Sequence, residues 1–260
     1  MIGFIKRAIR KILRICQGLK NNSALRRGRK EIVKHKNSYC GKRCFIIGNG
    51  PSLKVDDLEK LKNEITFGSH GIYYIFKDTD WRPTFYCAQD AKLIKERYRE
   101  IKSECKKIEC FFGLVKNFAY PMFSKKNVCI ELDINQFENG FPKFSDDLSK
   151  CAYEGFTVTY FNIQLAAYMG FSEIYLLGVD HNYSISMNPD GTVNVDKSVG
   201  DHFCKKDTLA NIPQTYKSTA AYYMARKYAD EHGIKIFNAT RGGKLDAFER
   251  VDFDDLFNIE

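Results

Sequence analysis

CFIIGNGPSL, residues 44–53, opens with four apolar, strand-forming residues (Cys44, Phe45, Ile46, Ile47) and empties into Gly48, Asn49, Gly50, Pro51 and Ser52. Glycines at the end of a buried strand let backbone N–H groups come close to a ligand. A helix starting at Pro51 or Ser52 would aim its positive end at a phosphate. The stretch therefore predicts a nucleotide-phosphate turn after the first strand of an α/β sheet. It has neither the Lys-Ser/Thr ending of a P-loop nor the third glycine of the dinucleotide fingerprint, and a tight turn that binds nothing could use the same residues.

Working outward, strand-like and helical patterns alternate, as they do in a parallel sheet covered by helices. The spacing predicts strands at Arg43–Ile47, Glu64–Gly68, Thr84–Ala88, Lys107–Phe112, Val128–Leu132, Glu173–Gly178 and Lys235–Asn238. It predicts helices at Val55–Leu61, Ala91–Ser103, Thr157–Met169 (stopped by Gly170) and Gln214–His232. The expected fold is α/β, with a Rossmann-like, mostly parallel sheet and helices on both faces over residues 41–260. Residues 182–213 are long, polar and without period, which suggests a lid-like insertion.

The net charge of +9 is concentrated at the start of the chain: residues 1–36 carry 12 Lys and Arg against the single acid Glu31. The body is slightly acidic, which argues against a nucleic-acid binder. Ile2, Ile5, Ile9, Ile12, Cys16 and Leu19 recur at helical steps, with Lys6, Arg7, Arg10, Lys11 and Arg14 opposite. Residues 1–20 are therefore expected to form a basic amphipathic helix lying on an anionic membrane, with a helix docked on a partner subunit or a solvated or nucleic-acid-binding arm as the other readings, joined by a linker over residues 21–40. No apolar run reaches the length of a membrane span or a secretory core, and nine cysteines without a CxxC pair suggest a reducing compartment. The expected location is cytoplasmic, peripheral on the inner membrane face.

Ligands of open parallel sheets sit beyond the carboxyl ends of the strands. That rule gathers Asn49, Ser69, His70, Gln89, Asp90, Gly178, Asp180, His181 and Tyr183 in one place. In the long loop, His202 is a candidate general base that neighbouring Asp201 could orient. Arg241 and Lys244, after the last strand, are candidate contacts for anionic substrate groups.

Together, FIIGNGPSL, TFGSHGIYYIF, WRPTFY, TVTYFNIQLAAYMGFSEIYLLGVDHNY and NATRGGKLDAFERVDF resemble the bacterial proteins grouped as 6-hydroxymethylpterin diphosphokinase-like, over roughly residues 42–255. That group takes in the central domain of motility-associated flagellin glycosyltransferases. More distantly, the GNGPSL start and the Gly-Val-Asp strand end are similar to small bacterial sialyltransferases that use CMP-sialic acid. In those enzymes the Asn of the turn binds the CMP donor, and Asn49 matches it. Ser69-His70 stand where a second family Asn would be, and Thr157-Val158-Thr159 are nearest to a donor-contacting Thr-Ser-Gly segment. Tyr183 lies one position from a tyrosine that assists departure of the phosphate. Tyr216 falls at the place of the family's catalytic His, although His202 is the better base by chemistry.

The resemblance implies an inverting, metal-independent glycosyltransferase that moves sialic acid or another nonulosonic or acidic sugar from a CMP donor to a glycan, glycolipid or protein acceptor. No cofactor is implied, and self-association into a homo-oligomer is a further expectation. Two alternatives stand beside it. One is an ATP-dependent 6-hydroxymethyl-dihydropterin pyrophosphokinase, with magnesium on Asp90 and Asp180 and the phosphates on Arg241 or Lys244. The other is a non-catalytic sugar-nucleotide or glycan-binding subunit.

Overall fold

Every ladder in the main sheet is parallel. The computed structural model describes Gly18 and residues 21–258 apart from 117, 136, 139–140 and 205–210. Along the chain run β1 (Arg43–Ile47), β2 (Thr66–Ser69), β3 (Phe85–Ala88), β4 (Glu109–Val115), β5 (Val128–Asp133), a small pair β6 (Phe137–Glu138) and β7 (Phe141–Pro142), and β8 (Ala152–Tyr153). Then come β9 (Glu173–Leu177), a hairpin of β10 (Ile185–Met187) and β11 (Val193–Val195), β12 (Lys235–Asn238) and β13 (Glu249–Arg250). The sheet order is β13-β12-β9-β1-β2-β3-β4-β5-β8. The helices are α1 (21–32), α2 (Val55–Lys60), α3 (Ala91–Glu104), α4 (Val158–Met169) and α5 (Thr215–His232).

The central strands are buried on both faces, which is why they read as unbroken apolar runs. Cys44 and Ile46 of β1 point into the core under α4 and α5, whereas Phe45 and Ile47 point into the core under α2 and α3. Ten of the twelve residues of α4 are buried, so this helix has no polar face and lies against the middle of the sheet. Strand order reverses at β1, which pairs with β2 on one side and with β9 along its full length on the other. All seven expected strands form, within a residue or two at their ends except that β4 runs three residues further, to Val115. The edge strands β8 and β13 were not anticipated.

Two expectations are corrected. The linker placed at 21–40 is helical through residue 32, with Ala24, Leu25 and Ile32 buried and Gly28 against the backbone of β5. Asn21 Nδ2 donates to the Phe118 carbonyl, and Arg29 pairs with Glu131 at 3.1 Å. No helix starts at Pro51 or Ser52 either: the chain turns there, and the six-residue α2 begins only at Val55. The expected basic helix of residues 1–20 lies, save for Gly18, outside the described residues.

Gly28 provides a test of the α1 packing. A Cβ there would stand 1.8 Å from the Cys129 carbonyl oxygen. Helix propensity favours Ala over Gly by about 1 kcal/mol, but overpacking against a backbone costs about 1–3 kcal/mol and should win. Gly28→Ala is therefore expected to lower the urea midpoint; an unchanged or raised midpoint would contradict the docking of α1.

Candidate functional site

A cavity of about 560 Å³ opens beyond the carboxyl ends of the strands, at the point where strand order reverses. Its floor is an interlock of two turns. Gly48 N–H donates to the Leu177 carbonyl at 2.8 Å and Gly50 N–H to the Gly178 carbonyl at 2.9 Å. A Cβ on Gly48 would lie 2.3 Å from the Gly178 oxygen, and one on Gly50 would lie 1.8 Å from Asp180 Oδ2. The glycines therefore serve the close approach of β1 to β9, and their N–H groups are spent there. The anion cradle expected at this turn is further occupied by the protein's own carboxylate: Ser52 Oγ donates to Asp180 Oδ2 at 2.7 Å. Burial pushes the Asp180 carboxyl up, while the Ser52 hydrogen bonds pull it down.

The wall collects Gly48, Asn49, Gly50, Ser69, His70, Gln89, Asp90 and Thr157, as expected, together with Thr159, Gly178, Asp180, His181, Tyr183 and His202. Asn49 Nδ2 donates to the Ser69 carbonyl at 3.0 Å, leaving its buried Oδ1 for another donor, and the buried Gln89 Oε1 is likewise unused. Asn49 also anchors the long loop, because its carbonyl accepts from Phe203 N–H at 2.9 Å. Three residues on this wall, His70, Phe156 and His181, hold left-handed φ values of 48°, 57° and 51°. Such conformations cost on the order of 1–3 kcal/mol each and persist only where the surroundings impose them.

A second structure faces the turns. The N-terminus of α4 points into the cavity, with Thr157 as N-cap accepting from Thr159 N–H at 3.3 Å. Tyr222, buried on α5, brings its hydroxyl 3.4 Å from Thr157 Oγ1. Three hydroxyls thus surround the positive end of a fully packed helix. At the rim, the Lys217 ammonium lies 4.4 Å from the centroid of the Phe156 ring.

Several sequence candidates fall elsewhere. Pro51 and Ser52 do not line the cavity; Ser52 is a structural partner of Asp180. Arg241 is held by Asp57 and Asp254, which makes it a tie between the last turn and α2 rather than a substrate contact. Lys244 is exposed, and its backbone N–H donates to the Asp180 carbonyl at 2.8 Å. Tyr216 bonds Gln214 at 3.4 Å; Tyr222, six residues on and so on another face of α5, is the tyrosine at the wall. The Asp201 carboxylate accepts from Ser184 N–H and Oγ at 2.7 and 2.6 Å, which fixes it to the start of the hairpin.

Sequence reasoning missed Glu154, Phe156 and Tyr222. The first two follow a strand too short to show a period, and Tyr222 is one of several aromatic residues in α5.

His181 generates a pH prediction. Its Nε2 lies 2.7 Å from Thr219 Oγ1, its ring packs edge-on against Tyr222, and burial depresses it to about 4 from 6.5. The unfolded chain then binds the extra proton between pH 6.5 and 4, so stability is full above that window and falls as pH drops through it. The loss is bounded at roughly 3 kcal/mol. His181→Asn, which tolerates the left-handed backbone, should flatten the fall in urea stability over this range; an unaltered pH slope would show that His181 is not held neutral by its surroundings.

Comparison with known proteins agrees with this fold. A solved structure, the MAf glycosyltransferase from Magnetospirillum magneticum AMB-1, superposes with a TM-score of 0.52 at 15% identity over 91% of this chain. The chain spans 39% of that protein's length, and the likeness is one of fold. No curated protein sequence matches the chain. Residues 16–186, which carry α1, the interlocked turns and the N-terminus of α4, match the model of a described family. The chain belongs to the 6-hydroxymethylpterin diphosphokinase MptE-like family.

Proposed function

We propose that the chain is a glycosyltransferase that takes a sugar from a cytidine monophosphate donor and passes it, with inversion, to a hydroxyl of a glycan, glycolipid or protein. The observation that carries this reading is one cavity in which the hydroxyl-ringed N-terminus of α4 faces a wall of carboxylates and imidazoles. A helix end supplies about half a positive charge, and the hydroxyls of Thr157, Thr159 and Tyr222 offer donors for the oxygens of one phosphate. A nucleoside monophosphate leaving group suits that seat. A triphosphate would meet Asp90, Glu154, Asp180 and Asp201, each like-charge contact near 4 Å costing about 4 kcal/mol at an effective dielectric of 20.

In this reading the free oxygens of Asn49 and Gln89 accept from the base or ribose, and Tyr183 stands beside the departing phosphate. A sialic or other nonulosonic sugar is the donor group favoured, on the resemblance of the GNGPSL turn. The basic stretch of residues 1–20 would bring the site to lipid-linked acceptors on the inner membrane face. No helix among the described residues is long and apolar enough to cross a membrane.

The activity in the family's description would ask for ATP with magnesium. The two carboxylates that would hold the metal already have protein partners. Asp90 accepts from Leu93 N–H at 2.8 Å and from Asn211 Nδ2 at 3.1 Å, and Asp180 is engaged by Ser52. Among the described residues no cluster of three His, Cys, Asp or Glu side chains is arranged for a metal ion.

Melting curves with CMP, CDP, UDP, GDP and ATP, each with and without magnesium, test the proposal. A ligand that binds only the folded chain raises its melting point. CMP is expected to give the largest shift, without magnesium. The double change Thr157→Val with Tyr222→Phe should weaken CMP about 10–100-fold, as expected for losing hydrogen bonds to a charged group. A dominant shift with ATP and magnesium, accompanied by AMP formation, would replace this reading; CMP binding without sugar transfer to any acceptor would leave a binding subunit.

A further inference from the structure

Glu154 follows β8 directly and stands on the cavity wall at the carboxyl end of the sheet. Its placement is built from both sides of the chain. On one side Glu154 N–H donates to the Asp133 carbonyl at 2.9 Å, continuing the ladder with β5. On the other side the buried side-chain amide of Gln164, in α4, behaves as a neighbouring strand. Its Oε1 accepts from Tyr153 N–H at 3.1 Å and from Ser145 N–H at 3.2 Å, and its Nε2 donates to the Tyr153 carbonyl at 2.9 Å. Ser145 Oγ closes the loop by donating to the Cys151 carbonyl at 2.6 Å.

Three of the four carboxylates on the described wall are committed: Asp90 to Leu93 and Asn211, Asp180 to Ser52, and Asp201 to Ser184. The Glu154 carboxylate makes no such bond among the described residues. Charges reach it from Asp90 at the start of α3 and from Lys217 on α5, and the cavity beyond holds His70, His181, His202 and Asp180.

We propose that Glu154 is the general base of this cavity, an inference that rests on the nucleotide-sugar reading above. Its carboxylate takes the proton of the acceptor hydroxyl as that oxygen bonds to the anomeric carbon. The bond from the anomeric carbon to the phosphate oxygen breaks, and its electron pair leaves with CMP. The proton on Glu154 then passes to solvent. Burial first, and the charge of Asp90 second, raise the carboxyl from 4.5 to about 7 against the opposing pull of Lys217. A base so poised is half ionised near neutrality, where proton transfer is most efficient.

The experiment measures CMP release from CMP-N-acetylneuraminate and other CMP-activated nonulosonic acids between pH 5.5 and 8.5, using the full chain, Glu154→Gln and His202→Asn. Release by the unaltered chain should rise with pH and level off above about 7. Glu154→Gln should lose that rise and fall about 10²–10⁴-fold at pH 8, with its CMP melting shift intact. His202→Asn should keep the rise. A rise that survives in Glu154→Gln, or that disappears in His202→Asn instead, overturns the assignment while leaving the nucleotide reading standing. An unaltered chain that neither releases CMP nor is shifted by it removes both.

A second readout needs no turnover. The folded chain holds the Glu154 proton between pH 4.5 and about 7, and the cost of ionising it in place is complete only above that window. The melting point of Glu154→Gln relative to the unaltered chain should therefore climb from pH 5 to pH 8; a constant difference overturns the proposal.

Discussion

The structure turns on the contact between two chain reversals, Gly48–Asn49–Gly50 after β1 and Gly178–Val179–Asp180 after β9. Two backbone hydrogen bonds and the Ser52–Asp180 pair hold them together, and neither glycine leaves room for a side chain. This contact sits where strand order reverses, so it sets the floor of the cavity and the position from which every other wall is measured. The loop that carries His202 is tied to the same turn through Phe203 and Asn49. The closing basic segment is tied through Lys244 and Asp180.

Much of the sheet was legible because strands buried on both faces must be continuously apolar, and the runs at Arg43–Ile47 and Glu173–Leu177 have no other reading at that length. The placement rule for ligands then assembled most of the cavity wall from residues following each strand. What local pattern could not supply were the partners of those residues. Ser52 finds Asp180 128 positions away, and that pairing turns an expected phosphate cradle into an internal contact. Arg241 reads as a substrate contact until Asp57, 184 positions away, is seen beside it. The stretch at residues 21–29 reads as a linker because, of its inward residues Asn21, Ala24, Leu25 and Gly28, only Ala24 and Leu25 carry apolar side chains, too few to dominate its composition.

The site that emerges is electrostatically unlike a phosphate-rich pocket. Its positive potential comes from the N-terminus of α4 and from the rim, not from arginines or lysines on the described wall, and its remaining charge is acidic or imidazole. It also places a buried imidazole, His181, where neutrality is enforced by desolvation, so that His181 contributes hydrogen bonding rather than charge at physiological pH.

The nine-stranded sheet ends on both sides in strands of two residues, β13 and β8, and at β8 the outward N–H and carbonyl of Tyr153 are consumed by Gln164. A long bare margin would act as a template on which a foreign strand could continue the sheet. Here that template is missing at β8, because a side chain from the covering helix has taken the place of the next strand. Recognition of another macromolecule by strand addition is thereby closed at this margin. A macromolecule approaching from the β8 side, a second copy of this chain included, would have to meet the covering helices instead.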